Sequence, residues 1–411
     1  MKKVIKGICV LLLVFCGYVF TSMYIIGEKI EPNYKVNCEQ EFKINAPIPV
    51  TAVYNGQKVS RGMYENQVGE SFNVDLKLFG IIPFSTVNVE VVDNMHVKVL
   101  GEPFGMKVYT NGVLVVDTKD IVTSGKSYNP AKVAGIKVGD YIKTVNGKII
   151  TCNEDLLQLV TESEGSSMTF EVIRDSKSFT CKVTPALESE TSLYRIGIWV
   201  RDSSAGVGTL TFYSPTNNVV CGLGHGICDS DTKSLLDVYN GELVKAEVVD
   251  VQKGSNGNPG ALKGRLSFDV IANIELNCEQ GVYGIAAQEI DNTTLTEISL
   301  KQNVKDGAAQ ILCTVNGSTP KLYECEIKKS KKHDSKTQNL IVTITDKELI
   351  ASTGRIVQGM TGSPLIQNGK LIGAVTHVLV NDPTRGYGIF IENMLETANQ
   401  VAEEQAKKDA S

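Results

Sequence analysis

From Leu193 to Thr345 the sequence reads as one short strand after another, and this run constrains the fold more than any other feature. Ile196-Gly197-Ile198-Trp199-Val200 and Gly208-Thr209-Leu210-Thr211-Phe212-Tyr213 are typical. Asn240-Gly241 and Asn316-Gly317 supply turn dipeptides between such runs. Short strands at this spacing predict a β-barrel or sandwich and exclude a helical bundle. Gly254 to Gly264, with four glycines in eleven residues, is expected to be a loop. With 411 residues, 42% apolar and 21% charged, the chain can build two or three globular domains. A net charge of -5 gives no general attraction to phosphate backbones, which excludes a nucleic-acid partner. The one basic run, Lys328, Lys329, Lys331, Lys332 and Lys336, reads as a solvated turn, with a docking patch for an anionic lipid or an acidic partner as the alternative.

The N-terminus differs in kind. Lys2, Lys3 and Lys6 precede an uncharged run from Gly7 to Ile26, long enough to cross a bilayer at ~1.5 Å per residue. Positive charge before the span places the rest of the chain outside the cytoplasm. A cleaved signal peptide competes with a retained anchor, but Phe20-Thr21-Ser22-Met23 is a poor cleavage site, and residues 1–27 are expected to be a signal-anchor. Cys9 and Cys16 fall in this run. Beyond it lie Cys38, Cys152, Cys181, Cys221, Cys228, Cys278, Cys313 and Cys325, scattered so that disulfides and free thiols are both open.

Residues 28–99 alternate as short strands, for example Ile48 to Tyr54 and Thr86 to Val91, and form a β-rich membrane-proximal module. In 100–186, Asn129 to Asp140 is a short capped helix ending in a turn, followed by Tyr141 to Ile150 as strand-turn-strand. Asn153 to Glu162 then makes an amphipathic helix. The run Ala131-x-x-Ala134-Gly135-Ile136-x-x-Gly139-Asp140 with Val145-Asn146-Gly147 resembles a PDZ domain of the bacterial protease-associated kind. That likeness implies capture of a peptide along a sheet edge, with Phe104, Gly105 and Met106 as the binding loop, or a module that only packs. The final helix is expected from Glu392, with 401–411 a polar tail.

Gly359-Met360-Thr361-Gly362-Ser363-Pro364 sets a Gly-rich turn with two hydroxyls after a buried strand, ahead of the Asn368-Gly369 hairpin. It resembles the G-x-S-G-x-P loop of chymotrypsin-like serine proteases, in which amides (here Gly359 and Thr361) face the oxyanion. Thr361 occupies the serine position of that motif, and Ser363 is the other candidate nucleophile. Of His96, His225, His333 and His377, the Gly-flanked His225 is the candidate base; His377, on the strand after the hydroxyl loop, either contributes to specificity or packs. Asp346, at a strand end before the hydroxyl loop, is the candidate orienting acid, with Asp202, Asp229 and Asp382 as alternatives and helix capping as the competing role. Cys221, His225 and Cys228 have a spacing that could hold zinc, but no partner pair lies nearby, so neither a metal nor any other cofactor is expected.

With Phe79-Gly80-Ile81-Ile82-Pro83, Gly224-His225-Gly226, Gly354 to Gly362, Thr376-His377-Val378, Asn381 to Thr384 and Gly386 to Ile389, nearly the whole chain resembles the stage IV sporulation protein B peptidases of endospore formers. The resemblance implies a mainly β chain: anchor, β-rich linker, PDZ domain and a chymotrypsin-like double β-barrel over 187–400. It further implies a serine-type endopeptidase exported into the forespore intermembrane space, membrane-anchored and extracytoplasmic. Its substrates would be itself and a regulator of a membrane-embedded, sigma-factor-processing metalloprotease. His225, Asp346 and Thr361 take the roles of base, acid and nucleophile. The different-class alternative is a catalytically impaired PDZ adaptor that holds membrane partners without cutting them.

Overall fold

A computed structural model describes every residue except 1, 28, 29, 39, 40, 45, 47, 65, 66, 256–258, 292, 293, 331–334, 380–383 and 411. The chain divides into two compact units, Met1–Met95 and His96–Ser411. In the first, helix α1 (Lys2–Gly27) is continuous over 26 residues. Among the described residues no helix is long and apolar enough to cross a membrane. A five-stranded sheet follows, with strands β1 (Asn33–Asn37), β2 (Val50–Tyr54), β3 (Gln57–Lys58), β4 (Ser71–Leu78) and β5 (Ile82–Val92) in the order β1-β5-β4-β2-β3. The inward set Val74, Leu76, Val87, Val89 and Val91 is nearly or wholly removed from solvent, as the period of two requires of a one-sided sheet.

The second unit begins its main architecture with β6 (Pro103–Thr118), a 16-residue strand whose two halves serve different cores. The first half pairs on one side with β10 (Ile198–Ser214) and on the other with β12 (Val238–Gln252). With β11 (Val219–Gly222), β13 (Ala261–Cys278) and β14 (Gly281–Ala286), the pairings run β6-β12-β13-β14-β11-β10 and return to β6, closing a six-stranded ring. Phe104, Met106, Leu210, Leu243 and Val282 fill it. The second half of β6 pairs with β7 (Tyr141–Val145) and packs under a separate core of Val113, Val115, Ala131, Ile136, Leu156, Val160 and Phe170. That core belongs to the PDZ domain, with helices α2 (Pro130–Val133) and α3 (Asn153–Glu162) and strands β8 (Met168–Arg174) and β9 (Lys177–Val183). Asn129 caps α2 by accepting from the Lys132 amide at 2.9 Å. The PDZ domain is thus inserted between the first and second strands of a barrel.

A second barrel is closed by β15 (Gly307–Cys313), β16 (Lys321–Lys329), β17 (Leu340–Ile344), β20 (Arg385–Phe390), β19 (Lys370–Val378) and β18 (Pro364–Gln367), in that order. Its core holds Ile311, Val342, Ile356, Val357, Met360, Leu365 and Val375. Helix α4 (Lys347–Thr353) precedes the hydroxyl loop, and α5 (Ile391–Asp409) ends the unit. One boundary moves from its sequence-based position: the loop expected over Gly254–Gly264 gives way to strand at Ala261. The expected final helix runs from Ile391 through Asp409, and Val401 is still buried.

Phe104, Gly105 and Met106 are not a peptide-binding loop. They lie in the first residues of strand β6, just after Pro103, with partners on both edges: Gly105 sits opposite Val207 and Val244. Both backbone edges are therefore consumed, and Phe104 is fully buried. A side chain at Gly105 would collide with Leu266, which shows how closely the strands pack there.

Candidate active site

The site forms where the two barrels meet. Strand β10 of the first barrel reaches across to the hydroxyl loop of the second. Thr209 Oγ1 donates to Gly359 O at 2.8 Å, the Thr209 amide to Thr361 O at 3.1 Å, and Thr211 Oγ1 to Gly362 O at 2.7 Å. From the other side, the Gly362 amide donates to Val375 O at 2.7 Å and the Val375 amide to Ser363 O at 3.0 Å. Gly362 has φ +95°, and a Cβ there would overlap Thr209 O and the Leu223 amide. Only glycine lets the loop and the histidine turn approach this closely.

Two amides in this loop are uncommitted. Met360 donates to Val357 O and Ser363 to Met360 O, both at 3.1 Å, but the amides of Gly359 and Thr361 have no acceptor among the described residues. Paired donors without partners, in a buried loop, are what charge developing on a carbonyl oxygen requires. Thr361 is 8% exposed and its hydroxyl makes no hydrogen bond among the described residues. Ser363 lies fully buried beneath it, with Oγ unpartnered.

His225 arrives from the first barrel. After β11, Leu223 and Gly224 both take positive φ, at 67° and 65°, and this left-handed pair turns the chain toward β19. Gly224 packs so closely there that a Cβ would lie 3.0 Å from Thr376 Cγ2. His225 Nδ1 is 2.8 Å from Gly226 O. A carbonyl can only accept, so Nδ1 carries the proton and Nε2 is left with a lone pair, the tautomer a general base needs. Burial holds the imidazole below its ordinary pKa, opposed by the Gly226 carbonyl. Asn277 clamps the segment that follows: its Oδ1 accepts from the Ile227 amide at 2.7 Å and its Nδ2 donates to Ile227 O at 3.0 Å.

Asp346 is not brought to this imidazole. Its side chain caps α4, accepting from the Glu348 and Leu349 amides, both at 2.9 Å, and from the Glu324 amide at 3.4 Å. These amides, Leu349 foremost, hold its carboxyl below the usual range. The competing capping role is the one the geometry supports. The alternatives are also engaged elsewhere: Asp202 accepts from the Asn153 amide at 2.9 Å, and Asp229 pairs with Arg201. Asp382 and His333 lie outside the described residues, and His96 is exposed at the start of its strand. His377, by contrast, stands beside His225 with ring centroids 5.3 Å apart.

Cys221 is fully buried and Cys228 exposed, and among the described residues these two and His225 do not form a group of three metal-ligating side chains. All eight described cysteines are free thiols. Sequence reasoning did not single out Thr209, Thr211 or Asn277. Their polar atoms bind main chain distant in sequence, and no local motif marks that.

Two barrels meeting at a hydroxyl loop and a histidine, with a PDZ domain spliced into the first, define a PDZ-bearing peptidase of the chymotrypsin-like type. Residues 192–395 match the family model described as SpoIVB peptidase S55, and residues 103–184 match the PDZ domain model. The chain belongs to the SpoIVB peptidase S55 family, a family of serine-type peptidases. A relative, the putative zinc metalloprotease mll0638 of Mesorhizobium japonicum, is 31% identical over 109 residues, covering 24% of this chain. This chain spans 29% of that relative's length. Among solved structures, the PDZ domain of an SdrC-like protein (Lmo2051) from Listeria monocytogenes is 15% identical, with a TM-score of 0.18, over 22% of this chain and 87% of that one. An inactive mutant of Rv3671c from M. tuberculosis is 14% identical, with a TM-score of 0.27, over 48% and 83%.

Proposed function

We propose that this chain is a membrane-anchored, extracytoplasmic endopeptidase that cuts peptide bonds with Thr361 as nucleophile and His225 as base. The observation that carries the reading is the pair of unbonded amides at Gly359 and Thr361, fixed by β10 against the histidine turn. His225 Nε2 takes the Thr361 hydroxyl proton as Oγ1 attacks the scissile carbonyl. The π electrons move to the carbonyl oxygen, where the two amides meet the charge. The imidazolium then returns the proton to the leaving amine, and water resolves the ester by the same route. No hydrogen bond joins Thr361 to His225 in the free chain, so substrate entry has to bring the pair within reach.

The family supports the wider assignment, an anchored peptidase of the forespore intermembrane space acting on itself and on a regulator of a membrane-embedded metalloprotease in sporulation signalling, and the uncharged sequence run Gly7 to Ile26 is the only support for the anchor. The adaptor reading keeps one observation of its own, the β-branched residue at the nucleophile position, which restricts χ1 and crowds the cleft.

The test is peptide turnover and self-cleavage by the full chain in detergent, beside Thr361→Ala, Thr361→Ser, His225→Ala and Ser363→Ala. Loss in the first and third with Ser363→Ala unaffected supports the assignment, and Thr361→Ser should be faster by roughly 10- to 100-fold. An inert parent revived by Thr361→Ser would instead establish the adaptor.

A further inference from the structure

The run Phe79-Gly80-Ile81-Ile82-Pro83 forms the tip of the β4–β5 hairpin in the first unit. The Ile81 amide donates to Leu78 O at 3.0 Å, and the two residues between, Phe79 and Gly80, have left-handed φ of 52° and 74°. Two left-handed central residues define a type I′ turn, which favours Asn, Asp or Gly at the first of them. The same unit uses Asn55-Gly56, with φ of 49° and 80°, between β2 and β3. Phe79 is the one aromatic residue among the described non-glycine residues with positive φ, and a bulky side chain is strained there. The core does not take it in. Phe79 is 39% exposed, Ile81 79% and Ile82 42%, with Pro83 exposed beside them.

The neighbours of this tip indicate what covers it. Leu78, which enters the turn, is fully buried in one cluster with Ile48 and with Ile26 of α1. Met23 of α1 and Phe84, which follows the tip on β5, pack against the same cluster. The root of α1 therefore sits at the end of the sheet that carries the tip. Further back the helix leaves the sheet, with Leu11, Leu13, Val14, Phe15 and Phe20 between 55% and 78% exposed. These belong to the uncharged run Gly7 to Ile26. An exposed apolar helix and an exposed apolar turn thus share one cluster and one end of the module. Together they exceed the scattered apolar exposure normal for a surface in water. A protein groove would have to fit two unlike elements at once, whereas acyl chains accommodate both without a matched shape.

We propose that the Phe79–Pro83 tip is a membrane-contact site whose ligand is the lipid bilayer. With α1 held in the membrane, Phe79, Ile81 and Ile82 enter the boundary between headgroups and acyl chains and hold the first unit against the surface. The proposal rests on the anchored reading. Transfer of the Phe79 ring from water to hydrocarbon offsets the strain of its backbone, a gain that Asn in the same turn would forgo.

The chain has a single tryptophan, Trp199, so Trp199→Phe gives a background into which one reporter can be placed. Ile81→Trp sets it at the tip. Gln57→Trp sets it past the other end of β2, whose first residue, Val50, pairs with Leu78. Both positions are exposed, so neither change disturbs the core. The full-length chain is reconstituted in vesicles of phosphatidylcholine and phosphatidylglycerol, floated, and compared with vesicles whose phosphatidylcholine is brominated on its acyl chains. The expected result in Ile81→Trp is a blue-shifted emission that the brominated lipid quenches about twofold or more, with Gln57→Trp unaffected. Adding Phe79→Asn, which suits the turn, should weaken that quenching while the chain stays folded. Flotation with Ile81→Trp unquenched would overturn the proposal and leave the anchor standing. A chain that does not float would remove the anchored reading, and the hairpin contact with it. A blue shift that appears without lipid and grows with protein concentration would overturn the proposal in favour of a second copy of the chain.

Discussion

The two barrels of the second unit are built from chain in opposite ways. All six strands of the second lie between Gly307 and Phe390, joined largely by short connections. The first closes only because β6 meets β10 across the whole PDZ domain. One barrel is local and supplies the hydroxyl loop and His377; the other depends on a long-range pairing and supplies His225 and the bracing threonines. The active site therefore inherits its weakest point from the first barrel. Whatever loosens the β6–β10 pairing also loosens Thr209 and Thr211, and with them the amides at Gly359 and Thr361.

The largest effect is expected at the joint itself. Gly362→Ala forces a Cβ into Thr209 O at a left-handed φ and should cost roughly 4 kcal/mol, read as a fall in denaturation midpoint together with lost turnover. An unchanged midpoint would mean that the barrels do not lock through this loop. Phe104→Ala comes next, at about 3–5 kcal/mol, because a fully buried ring in the first barrel leaves a cavity. A variant that stays stable but loses peptide affinity would return Phe104 to the PDZ domain and break the contrast between the halves of β6.

Asp346→Ala should cost only about 1 kcal/mol, the usual worth of an N-cap, while Asp346→Asn should restore stability and keep turnover within a few-fold. A loss on the order of 10⁴-fold in Asp346→Asn with unchanged stability would place the carboxylate in catalysis after all. The pH interval separates the two groups, since both lose stability toward acid but the carboxyl does so at lower pH than the imidazole. The Asp346 carboxyl is depressed in the fold, so its contribution is complete above the unfolded value and is lost as pH falls through the folded one. The Asp346→Ala difference should thus shrink in acid.

The smallest effect is a displaced limb of the rate profile. His225 is depressed too, but as a base it is needed neutral, so turnover should persist below about pH 6.5. Protonation favours the unfolded chain over the same interval, and stability should decline as pH drops below about 6.5. A limb above that value would indicate an acidic neighbour of His225.

Much of this protein was legible in the residues themselves. Period-two patterning and Asn-Gly turns determined a β architecture, the Ala131–Asp140 run determined the PDZ domain, and Gly-rich spacing marked both the hydroxyl loop and the histidine turn. These are local properties, since backbone conformation and one-sided burial act within a few residues. Tertiary structure alone decided the rest. It assigned Phe104 to Met106 to a barrel rather than a binding loop, gave Asp346 to a helix N-terminus, and set His377 beside His225. Each outcome depends on which distant backbone completes a hydrogen-bond edge, and no stretch of sequence carries that information, because an amide has the same chemistry whichever partner reaches it first.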